Sequence, residues 1–206
     1  MTIYCATTNP GKLREFTLIA AGQLEVLPIP GLKSIEPPEE TGSTFSENAA
    51  LKAEYYSGFV DGLVFADDSG LAVDALNGAP GIYSARYAGQ GAADSANNAK
   101  LLANLQDAVD RTARFVCAIA VARAGETLAV FEDVVNGQLL KEARGPNGFG
   151  YDPLFFYPPF GCTFGEASAE RKLPVSHRGK AMKKMIGWIL AHAAPSSGKT
   201  ARRSSS

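Results

Sequence analysis

Two neighbouring carboxylates, Asp67 and Asp68, stand in the run LVFADDSGLAV, directly after an apolar, strand-like stretch. Successive side chains of a strand point to opposite faces, so the pair is predicted to be two separate devices. One faces a cleft, because strand ends in α/β sheets are where ligands bind, and the other supports the loop; the plainer alternative is that both are turn residues bonding the backbone. In TTNPGK, Asn9 is placed to cap a helix, Pro10 to begin it and Lys12 to lie in its first turn. Free backbone N–H groups, the helix dipole and an ammonium would then converge on one point, which is a phosphate cradle; a capped helix with a solvated lysine is the bland alternative. EPPEETG offers Glu36, Glu39 and Glu40 on a proline-stiffened loop, ordinarily a solvated surface. Magnesium takes one or two carboxylates plus waters and substrate phosphates, so a glutamate here supplies half of a site if the fold brings a second carboxylate to it. In NGFGYDP, Gly148 and Gly150 flank Phe149, whose ring is suited to stacking on a flat ligand or to a core. SHRGK sets His177 and Arg178, both donors, at the start of a helix capped by Ser176.

The elements that must position these groups are legible in part. TIYCAT is a short strand and LREFTLIA a helix with Leu13, Phe16 and Ala20 on one face. Thr44 and Glu47 form a capping box that opens a helix through ENAALKAEYYSGF. LVFA and LAV are predicted as two strands, one on each side of the aspartates. Asp74 to Gly91 is a structured loop, and DSANNAKLLANLQ is a capped helix with Leu101, Leu102 and Leu105 at helical spacing. ARFVCAIAVAR and TLAVFEDVVNG flank AGE as an antiparallel hairpin. The last helix turns Ala181, Met182, Met185, Ile186 and Ile189 inward. Alternating strands and helices followed by a hairpin predict an α/β fold with a mixed sheet.

Composition narrows the function classes. The chain has 206 residues and a net charge of −1, so no global basic field marks it for duplex nucleic acid or an anionic membrane. Three scattered cysteines argue against a disulfide framework and a metal cluster. The start lacks the basic and apolar pattern of a signal peptide, and the apolar runs are too short to span a bilayer, so a cytoplasmic protein is expected. GKT at 198–200 lacks the glycine spacing and flanking elements of a phosphate-binding loop, and the small, basic tail from 194 to 206 is expected to be disordered.

Taken together, four separated stretches, TTNPGK, EETG with TFSENA, ADDSGLAVDALNGAPGIYSARYAG, and GFGYDPLF with SHRGKAM, resemble the inosine/xanthosine triphosphate pyrophosphatases. The resemblance covers roughly residues 2 to 190. It implies a mixed α/β fold with an elongated twisted sheet, flanking helices and two lobes around a central cleft, in one domain over 1–193. It also implies a homodimer and Mg²⁺-dependent hydrolysis of a nucleoside triphosphate to monophosphate and pyrophosphate, without a stable nucleic-acid complex. Carried over by position, Thr7, Thr8, Asn9, Pro10, Gly11 and Lys12 would bind the phosphates, and Glu40 and Asp68 the metal. Asp68 also matches the catalytic base, with Asp67 left to support the loop. Ser69, Phe149, Gly150, Tyr151, Asp152, Lys172, His177 and Arg178 match substrate-binding positions, with Phe149 under the base and Ser69 beside Asp68. Thr8 stands where Gly or Asn is frequent and Asn147 where Gly is; neither change removes a chemical group. Two other functions fit less well: a related Maf-like pyrimidine nucleotide pyrophosphatase, and a nucleotide- or RNA-binding module without turnover.

Overall fold

In the computed structural model, which describes residues 1–193, the predicted hairpin is the longest feature. Strands β4 (Thr112–Arg123) and β5 (Glu126–Leu139) run antiparallel around a turn in which Ala124 and Gly125 both take positive φ, the backbone that a tight hairpin requires. Around it stand β1 (Thr2–Cys5), β2 (Glu25–Pro28), β3 (Val64–Val73), β6 (Phe155–Tyr157) and β7 (Cys162–Thr163). They form one sheet in the order β2-β1-β3-β4-β5-β6-β7, parallel for β2-β1-β3 and antiparallel beyond, so the mixed α/β expectation holds. The helices are α1 (Pro10–Ala20), α2 (Phe45–Ser57), α3 (Asp94–Asn104), α4 (Ala169–Lys172) and α5 (His177–Ala193). The expected disordered tail and its GKT run lie outside the described residues.

Two local expectations are corrected. LVFA and LAV are one strand: β3 pairs with β4 without a break from Val64↔Ala122 to Val73↔Ala113, straight through DDSG. The aspartates therefore sit in mid-strand, and the strand end that borders them belongs to a neighbour, since β1 pairs with β3 only as far as Cys5↔Phe65. The second correction concerns α3, whose N-cap is Ala93 with no side-chain hydrogen bond; Asp94 is its first helical residue and is engaged elsewhere. β2 and β7 were not foreseen, being too short to carry a period.

Strand alternation gives the sheet two chemically distinct faces. On one, Phe65 with Ile119 and Val121 packs under α1 and α5, including all five inward residues predicted for the last helix. Farther along the same face, Leu71, Val73 and Phe115 pack with Leu101, Leu105, Phe155 and Phe164. Asp67 and Ser69, in the register between Phe65 and Leu71, lie in the gap between these two clusters. The opposite face buries Val64, Ala66, Ala118 and Ala120 against Ala49, Ala53 and Tyr56 of α2, and Asp68 points that way. Two lobes on one sheet, with polar residues between them, follow from this pattern.

Candidate active site

The gap between the two clusters is a cavity of about 110 Å³ whose wall includes Lys12, Ser69, Phe149, Lys172, His177 and Arg178. Each arrives there for a local reason. Asn9 caps α1 by accepting from the Lys12 amide at 3.1 Å, and Pro10 begins the helix, as its sequence predicts. That fixes Lys12 in the first turn, where its ammonium lies 2.8 Å from Asp67 Oδ2 rather than free. Gly11 brings the backbone close: a Cβ there would stand 2.9 Å from Phe149 Cδ1, so the Phe149 ring lies against the first turn of α1. Thr7 Oγ1 accepts from the Asn9 amide at 3.3 Å, and Thr7 and Thr8 line a separate hollow beside Pro28 and Leu32 rather than the cavity.

Ser176 caps α5 by accepting from the Gly179 amide at 3.0 Å, which places His177 and Arg178 at the helix start. Both are buried, and the imidazole stacks on Phe115 at 4.8 Å between centroids. Burial, reinforced by Arg178, Lys172, Lys12 and Lys180, holds the His177 pKa well below its ordinary value, so the ring is neutral. Arg178 donates to Glu15 and, at 3.1 Å, to Ser69 Oγ. Lys172 Nζ donates to Glu15 Oε1 at 2.8 Å and to Asp152 Oδ2 at 2.6 Å. An ammonium has three donor hydrogens, so one is left for a ligand. Burial pushes the Glu15 carboxyl up, and Arg178 with Lys172 outweighs it, leaving Glu15 below its ordinary value and charged. Lys172 and Arg178 also stand 5.3 Å from the Phe149 centroid, within cation–π range. Gly150, Tyr151 and Asp152 line the same wall, and the largely buried Tyr151 donates its hydroxyl to the Ser84 carbonyl at 2.8 Å.

Across the sheet, Asp68 meets different partners. Lys52 Nζ of α2 donates to Asp68 Oδ1 at 2.7 Å and to Glu40 Oε1 at 2.8 Å, while Arg86 holds Glu40 Oε2 at 2.8 Å. The EPPEETG loop thus does reach a second carboxylate. Asp68 Oδ2 is buried and has no hydrogen-bond partner among the described residues. Burial raises the Asp68 pKa despite Lys52, whereas Asp67, also pushed up by burial, is pulled below its ordinary value by Lys12, Arg178 and Lys52. The predicted separation of the two aspartates holds; the placement of Ser69 beside Asp68 does not. Ser69 donates to Asp67 Oδ2 at 3.0 Å, because residues two apart in a strand share a face.

Sequence reasoning missed Lys52, Glu15 and Arg86. A signal for Lys52 was present: Ala49, Lys52, Ala53 and Tyr56 follow helical spacing, so a lysine occupies the apolar stripe of α2. Glu15 likewise adjoins Phe16 on the buried face of α1. A charge in a buried stripe must find a partner, and only the tertiary fold supplies it.

Comparison with known proteins identifies the family. Residues 3–188 match the model of the Ham1 family. A curated relative from Listeria innocua, named dITP/XTP pyrophosphatase, is 50% identical over 186 residues, covering 89% of this chain and 92% of the relative. The solved Ham1 protein of Staphylococcus aureus superposes with a TM-score of 0.82 at 43% identity, over 93% of this chain and all of that one. A Mycobacterium abscessus structure described as a nucleoside-triphosphatase or dITP/XTP pyrophosphatase gives a TM-score of 0.71 at 40% identity, over 90% of this chain and 98% of that one. With its mixed sheet, its cavity between two lobes and this extent of identity, the chain belongs to the Ham1 family.

Proposed function

We propose that this protein hydrolyses non-standard purine nucleoside triphosphates, dITP, ITP and XTP, to the monophosphate and pyrophosphate. The observation that carries the reading is the cavity, walled by the Phe149 ring, by Lys172 with one donor hydrogen to spare and by Arg178, whose Nε has no partner among the described residues, and opening beside Lys12. Its 110 Å³ is far below the roughly 300–1,000 Å³ that encloses a whole ligand, so it takes the base and leaves the phosphates in the open cleft. The names of the relatives support the substrate class.

The residues fit a divalent cation, and Mg²⁺ is the one proposed. Glu40 Oε1 and Asp68 Oδ1 already share one cation, the Lys52 ammonium, whose place a metal ion would take, and the buried, unpartnered Asp68 Oδ2 is left for the attacking water. Among the described residues no three carboxylate, histidine or cysteine side chains converge, but magnesium needs only one or two carboxylates beside waters and phosphates. Glu40 and Asp68 would hold such an ion, which would neutralise phosphate charge and make a nearby water easier to deprotonate.

The chain's own residues do the rest. Lys12 and the α1 N-terminus bind phosphate oxygens, with Lys12 exchanging its contact to Asp67 for one to the substrate. Asp68 Oδ2 accepts the proton of the water that attacks the α-phosphorus, and pyrophosphate leaves. Phe149 stacks on the base, and donors from Lys172, His177 and Arg178 meet its 6-oxo group. Adenine offers an amino donor at that position, so ATP would leave buried donors unpaired, a strong basis for rejection. In the same proposal residues 1–193 are one domain of a cytoplasmic homodimer that acts on free nucleotides. The described residues contain no helix long and apolar enough to cross a membrane.

The test is a panel of dITP, ITP, XTP, GTP, ATP, dTTP and UTP with Mg²⁺ and product analysis. Pyrophosphate with the monophosphate, fastest from the 6-oxo purines lacking a 2-amino group, is expected. Orthophosphate as product, or better turnover of pyrimidines, removes the proposal.

A further inference from the structure

We infer that the first turn of α3 is a clamp on the Phe149 turn, with Asp94 and Asn98 as positioning residues for the stacking ring. The inference rests on the proposal that Phe149 stacks on the base. Asp94 Oδ2 accepts from the Gly150 amide at 2.6 Å, and Asn98 Nδ2 donates to the Gly150 carbonyl at 3.0 Å. The two residues are one helical turn apart and therefore share a face, so α3 grips both polar groups of a single residue. That residue immediately follows Phe149.

The turn needs such a hold. Gly148 and Gly150 both have positive φ, at 75° and 61°, so Phe149 is carried between two residues with the widest backbone freedom. Gly150 has no side chain, and a Cβ added there would touch nothing within 4 Å, so packing cannot fix its position and hydrogen bonds must. Asp152 supplies a third point by accepting from the Phe149 amide at 3.0 Å. The position matters because the ring lies close against Gly11 and within cation–π range of Lys172 and Arg178.

The clamp groups also forgo other uses. Asp94 does not cap its own helix, whose N-cap is Ala93, although its carboxylate is at the first helical position. Asn98 keeps its amide aimed at Gly150 even though its own Oδ1 is buried without a partner among the described residues. Next to them, Asn97 accepts from the Ala88 amide and donates to the Ala85 carbonyl, binding α3 to the Gly81–Arg86 segment that carries Arg86. Through α3 the Phe149 turn is thus fastened to the segment whose Ser84 and Ala85 also line the cavity.

Four variants and two ligands test this. Asp94→Ala and Asn98→Ala remove one contact each; Asn98→Asp turns a carboxylate toward the Gly150 carbonyl; Asp94→Asn retains an acceptor. Inorganic tripolyphosphate serves as a probe with phosphates and no base. We expect KM for dITP to rise about ten-fold in the first three, as loss of one strong hydrogen bond to the platform would give, with kcat within about two-fold of wild type. Tripolyphosphate affinity stays unchanged, Asp94→Asn restores KM, and amide exchange at Gly150 accelerates in Asp94→Ala. An unchanged KM in both Asp94→Ala and Asn98→Asp overturns the clamp, as does an equal loss for dITP and tripolyphosphate, which marks a merely structural role. If wild-type protein fails to turn over dITP while Gly150 exchange still accelerates in Asp94→Ala, the clamp holds the turn and it is the functional reading that falls.

Discussion

Asp67 and Asp68 show how one covalent neighbour differs from the next when a strand separates them. Asp67 meets Lys12, Ser69 and Arg178 on the α1 and α5 face, and its charge is fully compensated. Asp68 meets Lys52 on the α2 face and retains a buried oxygen with no partner. An uncompensated buried oxygen is costly unless a ligand, metal or water satisfies it, which makes Asp68 the aspartate with a task. Asp68→Asn is therefore expected to fold and to lose turnover by at least about 10²–10⁴-fold, the range of general-base assistance, with any larger loss marking damage to the proposed cation site as well. Steady-state assays with dITP measure this, and retention of wild-type kcat removes Asp68 from the chemistry.

At the scale of elements, β3 is the organising strand because its two edges are treated differently. One is paired along its length by β4, while the other loses β1 after Phe65 and is covered farther on by the Gly81–Arg86 segment. The cover is held by a side chain: Ser84 Oγ accepts from the Leu71 amide at 2.8 Å and donates to the Gly81 carbonyl at 2.6 Å. Gly70 permits it, since a Cβ there would collide with Ser84 Oγ and the Gly81 carbonyl. Gly70→Ala is thus expected to cost about 1–3 kcal/mol, the usual penalty of overpacking, and to displace Arg86 from Glu40. Urea unfolding gives the first quantity; wild-type stability in the variant refutes the close approach. Much of this scale was legible: the Thr44–Glu47 capping box, the hairpin and the inward face of α5 all follow from spacing and cap chemistry. The continuity of β3 was not, because DDSG has the composition of a turn and only the partner strand holds it extended. For the same reason Lys52 and Glu15 escaped notice: helical spacing predicts which face is buried, not which charge will find a partner there.

The whole molecule carries a net charge of only −1, and four of its cations, Lys12, Lys172, Arg178 and Lys180, all act on buried His177. Their nearness has a measurable consequence for stability. The unfolded imidazole binds a proton near its ordinary pKa of 6.5, whereas the folded one, desolvated and surrounded by cations, does so only at much lower pH. Below 6.5 the unfolded state therefore binds more protons at this residue, and stability rises with pH and falls as pH drops. One proton of difference gives a slope of up to about 1.4 kcal/mol per pH unit. His177→Gln removes this contribution while keeping a polar side chain. Unfolding free energies from urea titrations between about pH 8 and 5 are expected to decline more steeply on the acid side for wild type than for the variant, with the gap opening as pH passes below the histidine's ordinary range. Raised carboxyl groups such as Asp152 titrate in both proteins and cancel in the difference. Parallel curves would mean that His177 protonates in the folded state as readily as in the unfolded one, and the imidazole of the base-reading wall would then become a cation below its ordinary pKa of 6.5.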